Sequence, residues 1–419
     1  MKKKTGDDIR QAMERINWDF EDYNSSKYPL DLNSIPWYPA TFPAPIPKFL
    51  IALFSESEDV IFDPFGGKGT TSVEALKQRR RFVYNDLNPH AALIMTCMLD
   101  TIIQSEDEMD LLHLVEDDRA QFQWQIKNDD FISYQGKNND AIFKRLPADI
   151  TQKLDARGIK RDVVYWFHAE TLKELVCLFD YINQFCGLKM SIRKLAFLSV
   201  LKEVSSQRGH FSYVTDNCRP VEMKYYNAFD AYLDMIDRIQ KACVDFNRQY
   251  KIINKKSDLK ELSSQCVIHT GDAKDCAFMP DHSVDLIITS PPYLCAQDYI
   301  LTMRLNEFFF PSEGFESLPF QEIGPRRLRS RAGIVDSYFS DMNSVFRELY
   351  RVLKDDSFFC LVIGQGKGKI SEHIDVVSEL VENAKQIGFS LIFETTRTIS
   401  FRTNRVGGVD KEHIILFRK

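Results

Sequence analysis

The sequence predicts an α/β protein, with a doubly wound, mostly parallel seven-stranded sheet interrupted by a mainly helical insertion. Three observations predict it. Short apolar runs at 60–62, 81–84, 266–270, 284–288, 358–363, 391–393 and 414–417 have strand length and end in turn or polar residues. Amphipathic stretches at 46–54, 70–78, 341–353 and 374–387 alternate with them, the pattern of a sheet with helices on both faces. Between 91 and 262 the character changes. Leu172, Leu175, Val176, Phe179 and Ile182, then Phe229, Tyr232, Leu233 and Ile236, recur with helical spacing.

Composition narrows the classes. A chain of 419 residues with 44% hydrophobic and 27% charged content can bury a sizeable core and reads as soluble and globular. No window reaches the apolar length of a membrane span. The basic start at 2–4 runs into Gly6-Asp7-Asp8, which does not fit a secretory signal, so a cytoplasmic protein is expected. Nine cysteines, odd in number and never in a C-x-x-C pair, suit a reduced compartment better than a disulfide framework or a zinc site, and no metal is expected. A net charge of −6 excludes a uniformly basic coat. It still permits one cationic groove along a nucleic-acid strand, and the charge is uneven: 106–118 is acidic, while 251–260 and 326–331 are basic.

Taken in order, 1–33 is a polar arm with a short helix at 7–16. The stretch 36–45 is too rich in proline for a helix or a central strand, and it leads into the helix at 46–54. The first strand ends in Asp63-Pro64-Phe65-Gly66-Gly67-Lys68-Gly69-Thr70-Thr71. Glycines at a strand–helix junction let backbone approach a ligand closely, and the free N–H groups of the helix start favour an anionic group. A phosphate-binding P-loop is excluded because Lys68 precedes Gly69 where Ser or Thr is needed, and no G-x-G-x-x-G is present. Asp86 ends the second strand, where an acidic residue can accept from both hydroxyls of a ribose.

Within the insertion, 205–213 with Asn217 and Arg219 is polar and contains glycine between two helices. Gln207, Arg208, His210 and Arg219 are of the types that bond base edges or phosphates; a solvated loop is the alternative. The fourth strand stops at Thr289-Ser290-Pro291-Pro292-Tyr293. The prolines lack N–H groups and stiffen the turn, Ser290 adds a hydroxyl and Tyr293 an aromatic face with a polar tip. This corner suits a flat heterocycle with an exocyclic amino group. Its plainer reading is a proline-terminated strand with a packed tyrosine. Residues 294–310 read as one helix. Arg326, Arg327, Arg329 and Arg331 then crowd a turn set by Gly324 and Pro325, read as phosphate contacts over a merely solvated face.

Together the Asp-Pro-Phe-Gly-Gly-Lys-Gly-Thr-Thr loop and the Thr-Ser-Pro-Pro-Tyr corner resemble the S-adenosylmethionine-dependent amino-methyltransferases of DNA. The resemblance covers both ends of the chain and little of its middle. It implies the Rossmann-like class I methyltransferase sheet closed by an antiparallel hairpin. Residues 37–100 and 263–419 would form the catalytic domain and 1–36 an arm; 101–262 is a mainly helical insertion, read from its own residues as a candidate target-recognition region. It implies that Asp63, Pro64, Phe65, Gly67, Gly69, Thr70 and Thr71 hold the cofactor, with Thr41, Phe42 and Ala44 over its methionine part. Asp272, beside Ala273, would reach its adenine amino group. Ser290, Pro291, Pro292 and Tyr293 would hold the target base, flipped from double-stranded DNA, with Tyr293 stacking on it.

An aromatic amine is a poor nucleophile, so acceptors at Ser290 and the Pro291 carbonyl would hold its hydrogens and free its lone pair. No metal or covalent intermediate is needed. A C5-cytosine enzyme would need a Pro-Cys nucleophile, a dipeptide this sequence lacks. In the family, Ser at the first corner position favours N4 of cytosine over N6 of adenine. RNA or protein amino-methylation and a non-catalytic nucleic-acid-binding module remain alternatives, and a cognate restriction endonuclease is compatible as a partner. The insertion departs from one common permutation of the family by falling between the second and third strands.

Overall fold

The computed structural model describes residues 6–20, 31–35, 38, 41–104, 118, 148–207, 220, 222–253, 258–364, 374–399 and 411–419. Seven strands, β1 (Val60–Asp63), β2 (Arg81–Asp86), β3 (Val267–Thr270), β4 (Val284–Thr289), β5 (Leu353–Gly364), β6 (Ser390–Thr398) and β7 (Lys411–Arg418), form one sheet in the order β3-β2-β1-β4-β5-β7-β6. The pairs β1/β2, β1/β4, β2/β3 and β4/β5 are parallel. The closing pairs β5/β7 and β6/β7 are antiparallel. This is the expected fold class.

Successive strand residues point to opposite faces, and in the inner strands β1, β2 and β4 both faces are buried, which is why these read as continuous apolar runs; the edge strands β3 and β6 are partly exposed. Ile61, Phe82, Tyr84, Leu286 and Ile288 belong to one core cluster; Phe62, Val83 and Ile287 belong to the other. The helices Pro45–Phe54, Thr70–Lys77 and Pro89–Gln104 bury their apolar sides in the first cluster. The helices Ala169–Ile182, Gly187–Val204 and Ala228–Ile253 add to that same cluster, so the middle of the chain thickens one face of the sheet. Ile334–Val352 and Val376–Ile387 cover the opposite face.

The sheet order reverses beside β1 and β4, and the crevice outside the carboxyl ends of such strands is where α/β sheets bind ligands. The segment after β4 differs from expectation. In place of one helix over 294–310, two short ones form, Tyr299–Thr302 and Arg304–Phe309, separated at Met303 (φ −99, ψ 13). The reason lies in its partners. Cys295, at a left-handed φ of 56, donates its N–H to the Gly324 carbonyl at 2.8 Å, and the Asp298 carboxylate accepts from the Arg327 N–H at 3.0 Å. Backbone that would continue a helix is held instead by the loop at 321–331. No helix among the described residues is long and apolar enough to cross a membrane.

Candidate active site

Two buried carboxylates shape the first loop. Asp63, 2% exposed at the end of β1, accepts from the Phe65 N–H at 3.1 Å, the Thr71 hydroxyl at 2.7 Å and the Thr289 hydroxyl at 2.6 Å. It therefore ties the loop, the helix after it and the end of β4 to one point. Burial pushes its carboxyl up to about 6 despite those donors. Asp86, at the end of β2, accepts from the Gly67 N–H and the Asn88 N–H, each at 2.8 Å, and desolvation likewise raises it to about 6. Gly67 has φ +52, and a Cβ there would meet the Tyr38 ring at 3.1 Å, so only glycine brings this N–H to Asp86 without strain. Gly69, at φ +89, starts the helix Thr70–Lys77. Asn85 donates to the Pro64 and Gly271 carbonyls at 3.1 and 3.0 Å, which brings the turn carrying Asp272 beside the glycine loop.

These residues open onto a cleft whose empty space, with the solvent at its mouth included, is about 840 Å³. Thr41, Phe42, Asp63, Pro64, Phe65, Gly67, Thr70, Asp86, Asp272 and Ala273 line it, and so do Ser290 and Pro292. The glycine loop and the proline corner thus share one space. Ala44, Gly69 and Thr71 are not in its wall. Ala44 is buried at the start of the helix Pro45–Phe54, Gly69 shapes the turn, and Thr71 is spent on Asp63. Thr70 Oγ1 is buried at the cleft with no hydrogen-bond partner among the described residues, an orphaned group that a polar ligand would satisfy.

The corner is held by a chain of side chains. The Ser290 hydroxyl donates to the Tyr293 oxygen at 3.3 Å, and the Tyr293 hydroxyl donates to Glu412 Oε1 on β7 at 2.8 Å. Arg397 Nε on β6 donates to the other Glu412 oxygen at 2.6 Å. The Tyr338 hydroxyl caps the Pro292 carbonyl at 3.0 Å. Tyr293 is 7% exposed, and its ring sits in the second core cluster with Leu294, Ile323 and Tyr338. Burial, followed by the Glu412 charge, raises its hydroxyl well above the ordinary tyrosine value. The ring is packed, and neither it nor Pro291 is among the residues that line the cleft.

The chain matches the model of the DNA methylase family of N6/N4 methyltransferases over residues 1–96 and 284–419. The chain belongs to this family. It is 21% identical over 447 residues to the Type II methyltransferase M.MjaII of Methanocaldococcus jannaschii, covering 93% of this chain and 81% of that one. With the Type II methyltransferase M.PvuII of Proteus hauseri it shares 32% identity over 85 residues, 20% of this chain and 25% of the relative. With M.BsoBI of Geobacillus stearothermophilus the identity is 24% over 286 residues, and the chain spans half of that relative (50%) and 64% of itself. Among solved structures, the rRNA methyltransferase aviRa from Streptomyces viridochromogenes aligns at 12% identity over 97% of this chain and 94% of its own, with a TM-score of 0.33.

As a DNA methylase of the amino-methylating type, the protein takes DNA as substrate and S-adenosylmethionine as methyl donor. The wall residues are of the kinds that donor would need: carboxylates at Asp86 and Asp272, apolar surface at Phe65 and Leu87, and a Thr70 hydroxyl with no partner among the described residues.

The residues expected on DNA fare differently. Gln207 is 5% exposed, buried where the helix Gly187–Val204 ends, and is not available to a strand. Arg208, His210 and Arg219 lie outside the described residues. Arg327 is committed to carboxylates, with Nη1 at 2.6 Å from Glu322 and 3.5 Å from Asp298, so its expected phosphate contact is replaced by an internal pair. Arg326 is half-buried; Arg329 is exposed, its Nη1 donating to the Arg326 carbonyl at 3.3 Å.

Several wall residues escaped the sequence reading: Tyr38, Leu87, Tyr299, Ile300, Gln321, Glu322 and Ile323. Tyr38 falls within the proline-rich segment the sequence had marked, and Leu87 directly follows Asp86. Glu322 carried no signal. It accepts from the Ile300 N–H at 2.5 Å and from Arg327, and desolvation pushes it up to about 7.

Proposed function

We propose that this DNA methylase is a site-specific enzyme that methylates N4 of cytosine in a base flipped out of double-stranded DNA. The observation that carries this is the shared cleft, with Gly67 and Asp86 on one wall and Ser290 and Pro292 on another. Bound S-adenosylmethionine supplies an electrophilic methyl group. Asp86 accepts from its ribose hydroxyls and Asp272 from its adenine amino group, while Thr41, Phe42 and the Phe65–Gly67 backbone enclose the rest.

The acceptor side follows from the hydrogen-bond chain. Because the Ser290 hydroxyl donates toward Tyr293, its lone pairs remain for an incoming N–H donor. The target amino group donates one hydrogen there, which localises its nitrogen lone pair outside the aromatic ring. The amino group loses a proton in the reaction, and the chain from Ser290 through Tyr293 offers it a path toward Glu412, whose charge Arg397 balances. Tyr293 acts through its hydroxyl. Serine at the first corner position supports cytosine over adenine. The enzyme would work in the cytoplasm, on the nucleoid when bound to DNA, and a cognate restriction endonuclease is a compatible partner.

Expressing the protein in a host free of other methylases and sequencing its DNA for modified bases tests this. N4-methylcytosine at a fixed sequence context is expected. N6-methyladenine would leave the cleft chemistry standing and reverse the base assignment. In vitro, label carried from S-adenosylmethionine only to RNA or protein would overturn the DNA reading.

A further inference from the structure

We infer that Phe320 is a wedge that enters the DNA stack and fills the place the target base leaves. Phe320 is 84% exposed, against 49% for Tyr225, 42% for Val267 and 38% for Phe49, the other exposed large apolar residues among those described. A phenyl ring held this far into water has no role in the core. Nor is it loosely held. It belongs to the 3-10 helix Phe315–Gln321, whose buried Phe315 and Pro319 anchor the turn that carries it. The next three residues, Gln321, Glu322 and Ile323, line the cleft. The ring therefore stands on the rim of the space where the extruded base must go.

Its surroundings favour nucleic acid over an apolar protein surface. The Arg327 guanidinium lies 5.7 Å from the ring centroid while its Nη1 is bonded to Glu322, which links the ring to the cleft wall. Arg329 and Arg331 are exposed on the following turn, a cationic rim suited to phosphates. A phenyl ring offers neither donor nor acceptor, so in a duplex it recognises only the flat faces of base pairs. Those faces become accessible where a base has left the stack, and apolar side chains inserted there are stabilised by stacking.

This rests on the DNA-methylating reading above. The test uses synthetic duplexes carrying the site found by sequencing, with the target base either paired or opposite an abasic position. Phe320→Ala should slow single-turnover methylation of the paired duplex by roughly tenfold or more. On the abasic-opposed duplex, where the base is already unpaired, it should match the wild type within about threefold. S-adenosylmethionine affinity and melting temperature should be unchanged, and Phe320→Trp should retain most activity on the paired duplex. Equal losses on both duplexes, or no loss on either, would overturn the wedge. Failure of the wild type to methylate either duplex would count against the functional reading itself.

Discussion

The donor side and the acceptor side of the cleft are built by different means. Around Asp63, Gly67 and Asp86 the backbone makes the site, with carboxylates fixing N–H groups and glycine supplying φ +52 and +89 over a short run of chain. Around Ser290 the site is a network of side chains, Tyr293 from the same corner and Glu412, Arg397 and Tyr338 from distant segments, with Glu322, Arg327 and Asp298 beyond. A backbone-built site constrains the letters of one local stretch. A network constrains only the pairing of residues brought together by the sheet, and leaves each stretch looking ordinary.

If the two sides are separable, damage to one should leave the other working. Ser290→Ala removes the acceptor for the amino hydrogen and should lower kcat by about 10²–10³-fold. Isothermal calorimetry should find S-adenosylmethionine binding unchanged; a parallel fall in affinity would merge the two sides. Tyr293→Phe keeps the packed ring and removes only the hydroxyl. Its kcat should fall by about tenfold or more, since the Ser290 hydroxyl loses its orientation. A ring that mattered solely by stacking would leave this variant fully active.

The donor side should respond to pH. Asp86 is raised by burial to about 6, and only its ionised form can accept from both ribose hydroxyls while holding the loop N–H groups. Affinity for S-adenosylmethionine should be full above pH 7 and fall as pH drops through about 6, approaching tenfold per unit below it. Asp86→Asn should bind more weakly at neutral pH and flatten that profile. A pH-independent wild type would remove Asp86 from the ribose. The smallest effect concerns the rim: Arg329→Ala should reduce the salt slope of DNA binding by about one, and Arg327→Ala should leave the slope unchanged because its charge is already paired.

The sheet was legible because its inner strands are buried on both faces, and β1 and β2 end in aspartate while β4 runs into the proline corner. Asp63, Gly67, Asp86, Asp272, Ser290 and Pro292, singled out from sequence, meet at one cleft for the reason just given. The segment at 294–310 misled because its helical spacing is real, but its N–H and carboxylate groups bond the 321–331 loop. Arg327 read as a phosphate contact since nothing local to it announces Asp298, 29 residues upstream. Glu412 could not be foreseen as Tyr293's partner: its register opposite Gly364 and Arg397 is fixed only by sheet pairing.

The most direct test of amino-group chemistry in this cleft is mass spectrometry of nucleosides from DNA methylated in vitro by the purified protein. N4-methylcytosine that disappears with Ser290→Ala is the predicted result. A methyl group on a ring carbon, such as 5-methylcytosine, would contradict the account.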